Sequence, residues 1–133
     1  ATPTHNETSA ENAVPDKLEV ALEDCNTTNA PGAYYRPGEG YRWTDALQAC
    51  AAYSQAGSSG TWRLPTLKEA EAIHFAKRGL PDFPGTGEHN FYVTATEKSS
   101  NSSCFWALDM ESGEIAEGGK SDGASVRCVK DAN

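Results

Sequence analysis

With 133 residues, 11 basic and 19 acidic side chains and a net charge of −8, the chain has the length of one domain, able to bury roughly two-thirds of its unfolded surface. The acid excess repels phosphate and so argues against nucleic acid and anionic membranes as partners. No apolar run approaches the ~20 residues that a membrane helix needs, and the opening on Ala1, with neither methionine nor a signal-peptide pattern, predicts a processed chain.

Residues 1–16 are rich in Thr, Asn, Glu, Ala and Pro without an apolar period. They predict a flexible N-terminal linker, and residues 17–133 then form one domain. Two patterns compete from Asp16 to Cys25: Leu18, Val20 and Leu22 alternate as in a strand, whereas Leu18, Ala21, Leu22 and Cys25 share a helical face. Asp16 as an N-cap tips the expectation toward helix. Pro31-Gly32 and Pro37-Gly38 bracket 33–36 as a short strand. Thr44 can cap a first helix whose core stripe is Trp43, Ala46, Leu47, Cys50 and Tyr53, and the Gly/Ser run at 57–60 ends it.

A corner follows in Trp62-Arg63-Leu64-Pro65-Thr66-Leu67-Lys68-Glu69. Trp62 and Leu64 alternate around Arg63 as in an extended arm, and Pro65 clashes with a helical predecessor, so Leu64 stays extended. Thr66 and Glu69 have the spacing of a capping box, worth on the order of 1 kcal/mol. The second helix is expected over 67–78, burying Ala70, Ile73 and Ala76, with Lys77 and Arg78 in its last turn and Gly79 as the C-cap. Trp62, Leu64, Ile73 and Trp106 are expected to share one core.

Residues 80–90 read as a loop, with Phe83 as a plug into the core. Strands are expected at 91–96 and 104–110, the latter with Trp106, Leu108 and Met110 on one face. A hairpin turn at 111–114 leads into Ile115, and 126–130 closes the sheet.

Three of these pieces, in order, carry a family resemblance. Trp62-Arg63-Leu64-Pro65-Thr66-x-x-Glu69, Tyr92-Val93-Thr94-Ala95-Thr96-Glu97 and Val126-Arg127-Cys128-Val129-Lys130 resemble the motifs of the collagen-like adhesin C-terminal domain (the Lcl C-terminal type) and of the related major-paralogous-type surface repeats. The first is also similar to a segment of the formylglycine-generating enzymes. The resemblance implies an α+β fold of the C-type-lectin-like kind, with two helices packed on a small, mainly antiparallel twisted sheet with long loops.

Cys25, Cys50, Cys104 and Cys128 are well spread and form no C-x-x-C pair, which favours two disulfides in an oxidising compartment over a metal site, with reduced buried thiols as the alternative. C-type-lectin-like domains tie their first helix to the last strand. The resemblance therefore implies Cys50–Cys128, leaving Cys25 with Cys104.

Residues for chemistry are sparse. His5, His74 and His89 lie in separate elements, and no pair of acids, Asp109 and Glu97 included, stands in a catalytic motif. Formylglycine-generating enzymes bind copper through a cysteine pair, but the closing motif here holds Cys128 alone and the chain is much shorter. Neither calcium-binding tripeptide of sugar-binding C-type lectins occurs. No cofactor is expected, calcium having only unspecific loop carboxylates to draw on. Asn6, Asn26 and Asn101 stand in glycosylation sequons, read here as solvated turns.

The expected function is non-enzymatic, extracellular recognition or adhesion by a bacterial surface or fimbrial protein that binds a glycan or another protein. The expected location is the cell surface, with the periplasm or medium as variants. The rivals are an assembly module, as a fimbrial tip or spacer, and a variable ligand-binding protein of the diversity-generating type. Expected partners are a glycan, a host or bacterial surface protein, or other subunits of a surface assembly. Family likeness implies sulfated polysaccharide, but that needs a basic pocket, and the cations here are scattered. The ligand site is placed beside the β half at His89, Asn90, Tyr92, Glu97, Lys98 and Asn101, a mixture of an aromatic face with hydroxyl-selecting polar groups, the alternative being a solvated loop edge with Tyr92 in the core.

Overall fold

The computed structural model describes residues 18–37, 39–55, 61–76, 91–98, 100–101 and 103–131. In chain order the elements are β1 (Leu18–Val20), α1 (Trp43–Ala52), α2 (Leu67–Ala76), β2 (Phe91–Glu97), β3 (Cys104–Asp109), β4 (Ile115–Gly119) and β5 (Val129–Asp131). The strands form an antiparallel sheet β2-β3-β4 and a separate antiparallel pair β1-β5. This is the α+β arrangement of two helices with antiparallel sheets. The 1–16 linker, the 80–90 loop with Phe83, and the Gly79 cap lie outside the described residues.

The Trp62–Glu69 corner forms as its residues dictate. The Thr66 hydroxyl accepts from the Glu69 amide at 3.2 Å, and the Glu69 carboxylate accepts from the Thr66 amide at 2.8 Å, closing the capping box. The same carboxylate, fully buried, takes both arms of Arg63 at 2.7 Å each. Arg63 reaches Asp131 as well, at 2.8 Å, and its backbone pairs with Val129. The corner is thereby tied to the last strand by main chain and side chain together.

Period-2 alternation divides the core in two. Val93, Phe105 and Ala107 project from one face of the β2-β3 sheet onto Trp62, Leu64, Ala46, Ala49 and Cys50. Tyr92, Trp106 and Leu108 project from the other face onto Leu67, Ala70, Ile73, Met110 and Val129. The expectation of one core for Trp62, Leu64, Ile73 and Trp106 is corrected: the first two belong to one cluster and the last two to the other. The cause is local, since the chain turns at Pro65 and passes from one side of the sheet to the other. Trp106, Leu108 and Met110 do share a face, as their spacing predicts.

Four further expectations are corrected. Leu18–Val20 is a strand rather than helix, because pairing Leu18 with Asp131 and Val20 with Val129 outweighs the N-cap signal of Asp16. Residues 33–36 make no strand, only a bridge from Arg36 to Gly40. Helix α1 begins two residues earlier than a Thr44 cap implies, at Trp43. Arg42 is its N-cap without a side-chain cap bond, and Leu47 faces solvent while Ala49 takes its place in the stripe. Ala76 is exposed.

Cys50 and Cys128 form a disulfide, joining α1 to the closing segment across a sequence separation of 78. The second expected bond, Cys25–Cys104, is not formed, and both residues are free thiols. Cys25 is drawn instead to the buried sulfur of Cys128, at 3.1 Å, because its amide donates to the Val126 carbonyl and so places it on the closing segment.

Candidate functional site

Of the six residues expected in the ligand site, His89 and Asn90 lie outside the described residues. Tyr92 is corrected: at 1% exposure its ring belongs to the core, and its hydroxyl donates to Asp24 at 2.8 Å. Asp24 also accepts from Arg127 Nε at 2.9 Å, while Arg127 Nη1 reaches the Ala21 carbonyl at 3.0 Å. Tyr92 and Arg127 thus hold the segment after β1 in place and offer no face to a ligand. Coverage of the sheet on both faces decides this: Tyr92 shares its face with Trp106 and Leu108, and that face is packed under Leu67, Ala70 and Ile73.

Glu97, Lys98 and Asn101 do come together, at the end of the β2-β3 hairpin. The Lys98 amide donates to the Cys104 carbonyl at 3.0 Å, and the Asn101 amide to the Lys98 carbonyl at 3.1 Å. The exposed Asn101 side chain accepts from the Ser103 amide at 3.0 Å. Strand β4 and the residue that follows it bring two residues not singled out from the sequence, Glu117 and Lys120. Lys98 Nζ meets Glu117 at 2.5 Å, and Lys120 Nζ is bonded to the Glu97 carboxylate. A crossed pair of ion pairs results, each joining the end of β2 to the β4 side. Gly118 allows this approach: it faces Phe105, and a Cβ there would stand 2.9 Å from the ring.

Two indole rings lie under the cations. Lys120 Nζ sits 4.1 Å from the centroid of Trp43, and Lys98 Nζ 5.6 Å from that of Trp106. The Trp43 ring is set by its Nε1–H donating to the Thr94 carbonyl at 3.2 Å. Glu117 is held below the usual carboxylate range, first by the hydrogen bond from Lys98 and then by that from the Cys104 thiol. The Cys104 thiol is pushed up, first by loss of solvent and then by that same bond to Glu117. The hairpin was visible in the sequence but its register was not: counting from a 111–114 turn places Glu117 opposite Leu108, whereas the strands pair Leu108 with Ile115 and so Trp106 with Glu117.

Among the described residues, the side chains grouped closely enough to hold a metal are Cys25, Cys50 and Cys128, all buried and with sulfurs within 4.8 Å of one another. Two of the three are already joined to each other.

The family model of the Lcl C-terminal domain matches residues 11–130, nearly the whole chain. The chain belongs to the Lcl C-terminal domain family. No curated protein matches it. Membership makes this Lcl C-terminal domain a surface-associated, adhesin-like domain of a surface or secreted protein. No helix among the described residues is long and apolar enough to cross a membrane.

Proposed function

We propose that this Lcl C-terminal domain is a non-enzymatic recognition module, acting outside the cell and binding a glycan or a protein at the open end of its three-stranded sheet. The carrying observation is the rim of Glu97, Lys98, Asn101, Glu117 and Lys120 at one end of the sheet, with Lys120 over the Trp43 ring and Lys98 over that of Trp106, which sets polar groups of both signs beside aromatic rings. Hydroxyl-rich ligands are read by such alternating donors and acceptors, with ring faces taking the CH surfaces of sugars. Each cation here is matched by a carboxylate, so a neutral or zwitterionic ligand fits the rim better than a polyanion. The link from α1 to the closing segment supports reading the α+β fold as C-type-lectin-like, as the motifs imply. Nucleic acid and membrane insertion have no place in this reading.

A glycan array followed by titration of the domain tests it. Lys98→Ala with Lys120→Ala should weaken binding about tenfold or more, while far-ultraviolet circular dichroism shows an intact fold. Unchanged affinity in the folded double variant places the site elsewhere.

The assembly reading keeps one supporting observation. Phe75, Tyr34 and Leu22 are large apolar side chains at 82%, 61% and 54% exposure. Concentration-dependent sedimentation that Phe75→Ser abolishes would favour assembly through Phe75.

A further inference from the structure

The Cys50–Cys128 disulfide has a third sulfur against it. Cys25 Sγ lies 3.1 Å from Cys128 Sγ, and all three cysteines are buried. The backbones bearing Cys25 and Cys128 are already side by side: the Ala21 amide donates to the Cys128 carbonyl at 2.9 Å and the Cys25 amide to the Val126 carbonyl at 2.8 Å. Arg127 and Asp24, bonded to each other at 2.9 Å, clamp the same two segments. Cys25 is therefore presented to the disulfide by structure that needs no sulfur–sulfur bond.

We propose that Cys25, Cys50 and Cys128 form an internal thiol–disulfide exchange site in which Cys128 alternates between two partners. Cys25 Sγ gives up its proton and attacks Cys128 Sγ. The Cys25–Cys128 bond forms as the Cys128–Cys50 bond breaks, and the electron pair leaves on Cys50 Sγ, which takes up a proton. One disulfide and one thiol stand on each side of the reaction, so no oxidant or reductant is consumed. Burial keeps external thiols away and makes the exchange intramolecular.

The two isomers staple different elements to the closing segment. One holds helix α1 through Cys50, and the other holds the segment after β1 through Cys25. Loop closure does not choose between them, because its entropy varies with the logarithm of loop length and the separations are 78 and 103. The balance rests on packing at the sulfurs, where Tyr41 and Tyr53 also stand close to Cys25. Attack requires the thiolate, and burial pushes the Cys25 thiol up to about 12, so the exchange is slow in the native protein.

The test uses the full chain carrying Cys104→Ser, which removes the remaining thiol without touching the trio. After incubation at mildly alkaline pH, the protein is quenched in acid, labelled with a maleimide in denaturant and digested without reduction. Mass spectrometry should find label on both Cys25 and Cys50, the latter at about a tenth of the former or more. The corresponding Cys25–Cys128 peptide should be present. Label on Cys25 with Cys50 below about a hundredth of it overturns the proposal. Adding Cys50→Ser isolates the second isomer: oxidised in a glutathione buffer, that chain should form Cys25–Cys128. A folded protein that keeps both thiols free also overturns it. Should that variant not fold, the labelling ratio in the Cys104→Ser chain decides alone.

Discussion

Arg63 lays both arms of its guanidinium on the Glu69 carboxylate, at 2.7 Å each, while Glu69 also receives the Thr66 amide. A capping acid has thereby become the buried anchor of a corner. Glu69→Ala should cost about 3 kcal/mol, since it takes from Arg63 its buried partner, leaving only the exposed Asp131 and a backbone carbonyl, and leaves the Thr66 amide unpaired. Glu69→Gln, which keeps the shape and one acceptor, should cost about 1–2 kcal/mol. Urea unfolding measures both, and equal losses would show that the charge carries the whole contribution and the retained shape none.

Trp62 lies at 4% exposure between the disulfide side of the core and Tyr53, whose ring it meets edge-on at 5.1 Å. Trp62→Ala should cost about 3–5 kcal/mol as a large-to-small core change. Thermal melts with tryptophan fluorescence check this, and a loss under 1 kcal/mol would remove Trp62 from the centre of the corner.

Cys128 is the sulfur common to both pairings open to this fold, so its removal deletes every staple at that point. Cys128→Ala should cost up to about 4 kcal/mol from loop entropy alone across the separation of 78. Cys50→Ala should cost less, because Cys25 is at hand to take its place. Denaturant midpoints of the two variants settle the order.

Thiol labelling and pH report on the two free cysteines. In native protein a maleimide should modify Cys104 quickly, because it is partly exposed, and the buried Cys25 only on unfolding. The Cys25 thiol ionises at about 12 in the folded chain against an ordinary 9.0, chiefly through burial. The folded state therefore keeps its proton where the unfolded state loses it. The stability this gives is complete below pH 9.0 and falls as pH rises toward about 12. Tyr41, pushed by burial from 10.0 to about 12, acts in the same direction. Urea midpoints across that range should drop, and less steeply for Cys25→Ala; equal slopes would contradict the assignment.

The sequence by itself determined what depends on neighbours a few residues apart. The Thr66/Glu69 box, the Pro65 corner, the hairpin leading to Ile115 and the shared face of Trp106, Leu108 and Met110 are all local patterns, and all are present. The Cys50–Cys128 bond was legible from family likeness rather than from spacing. Three other features needed the tertiary structure. Leu18–Val20 is a strand because β5, more than a hundred positions away in sequence, supplies its hydrogen-bond partners. Tyr92 is core rather than ligand platform because the sheet is covered on both faces, which alternation along one strand cannot reveal. The rim likewise depends on long-range register: Glu97 and Lys98 were visible as polar residues, but their partners Lys120 and Glu117 reach them across the sheet. Local propensity is a property of a few residues, whereas pairing across the sheet and burial are properties of the closed fold.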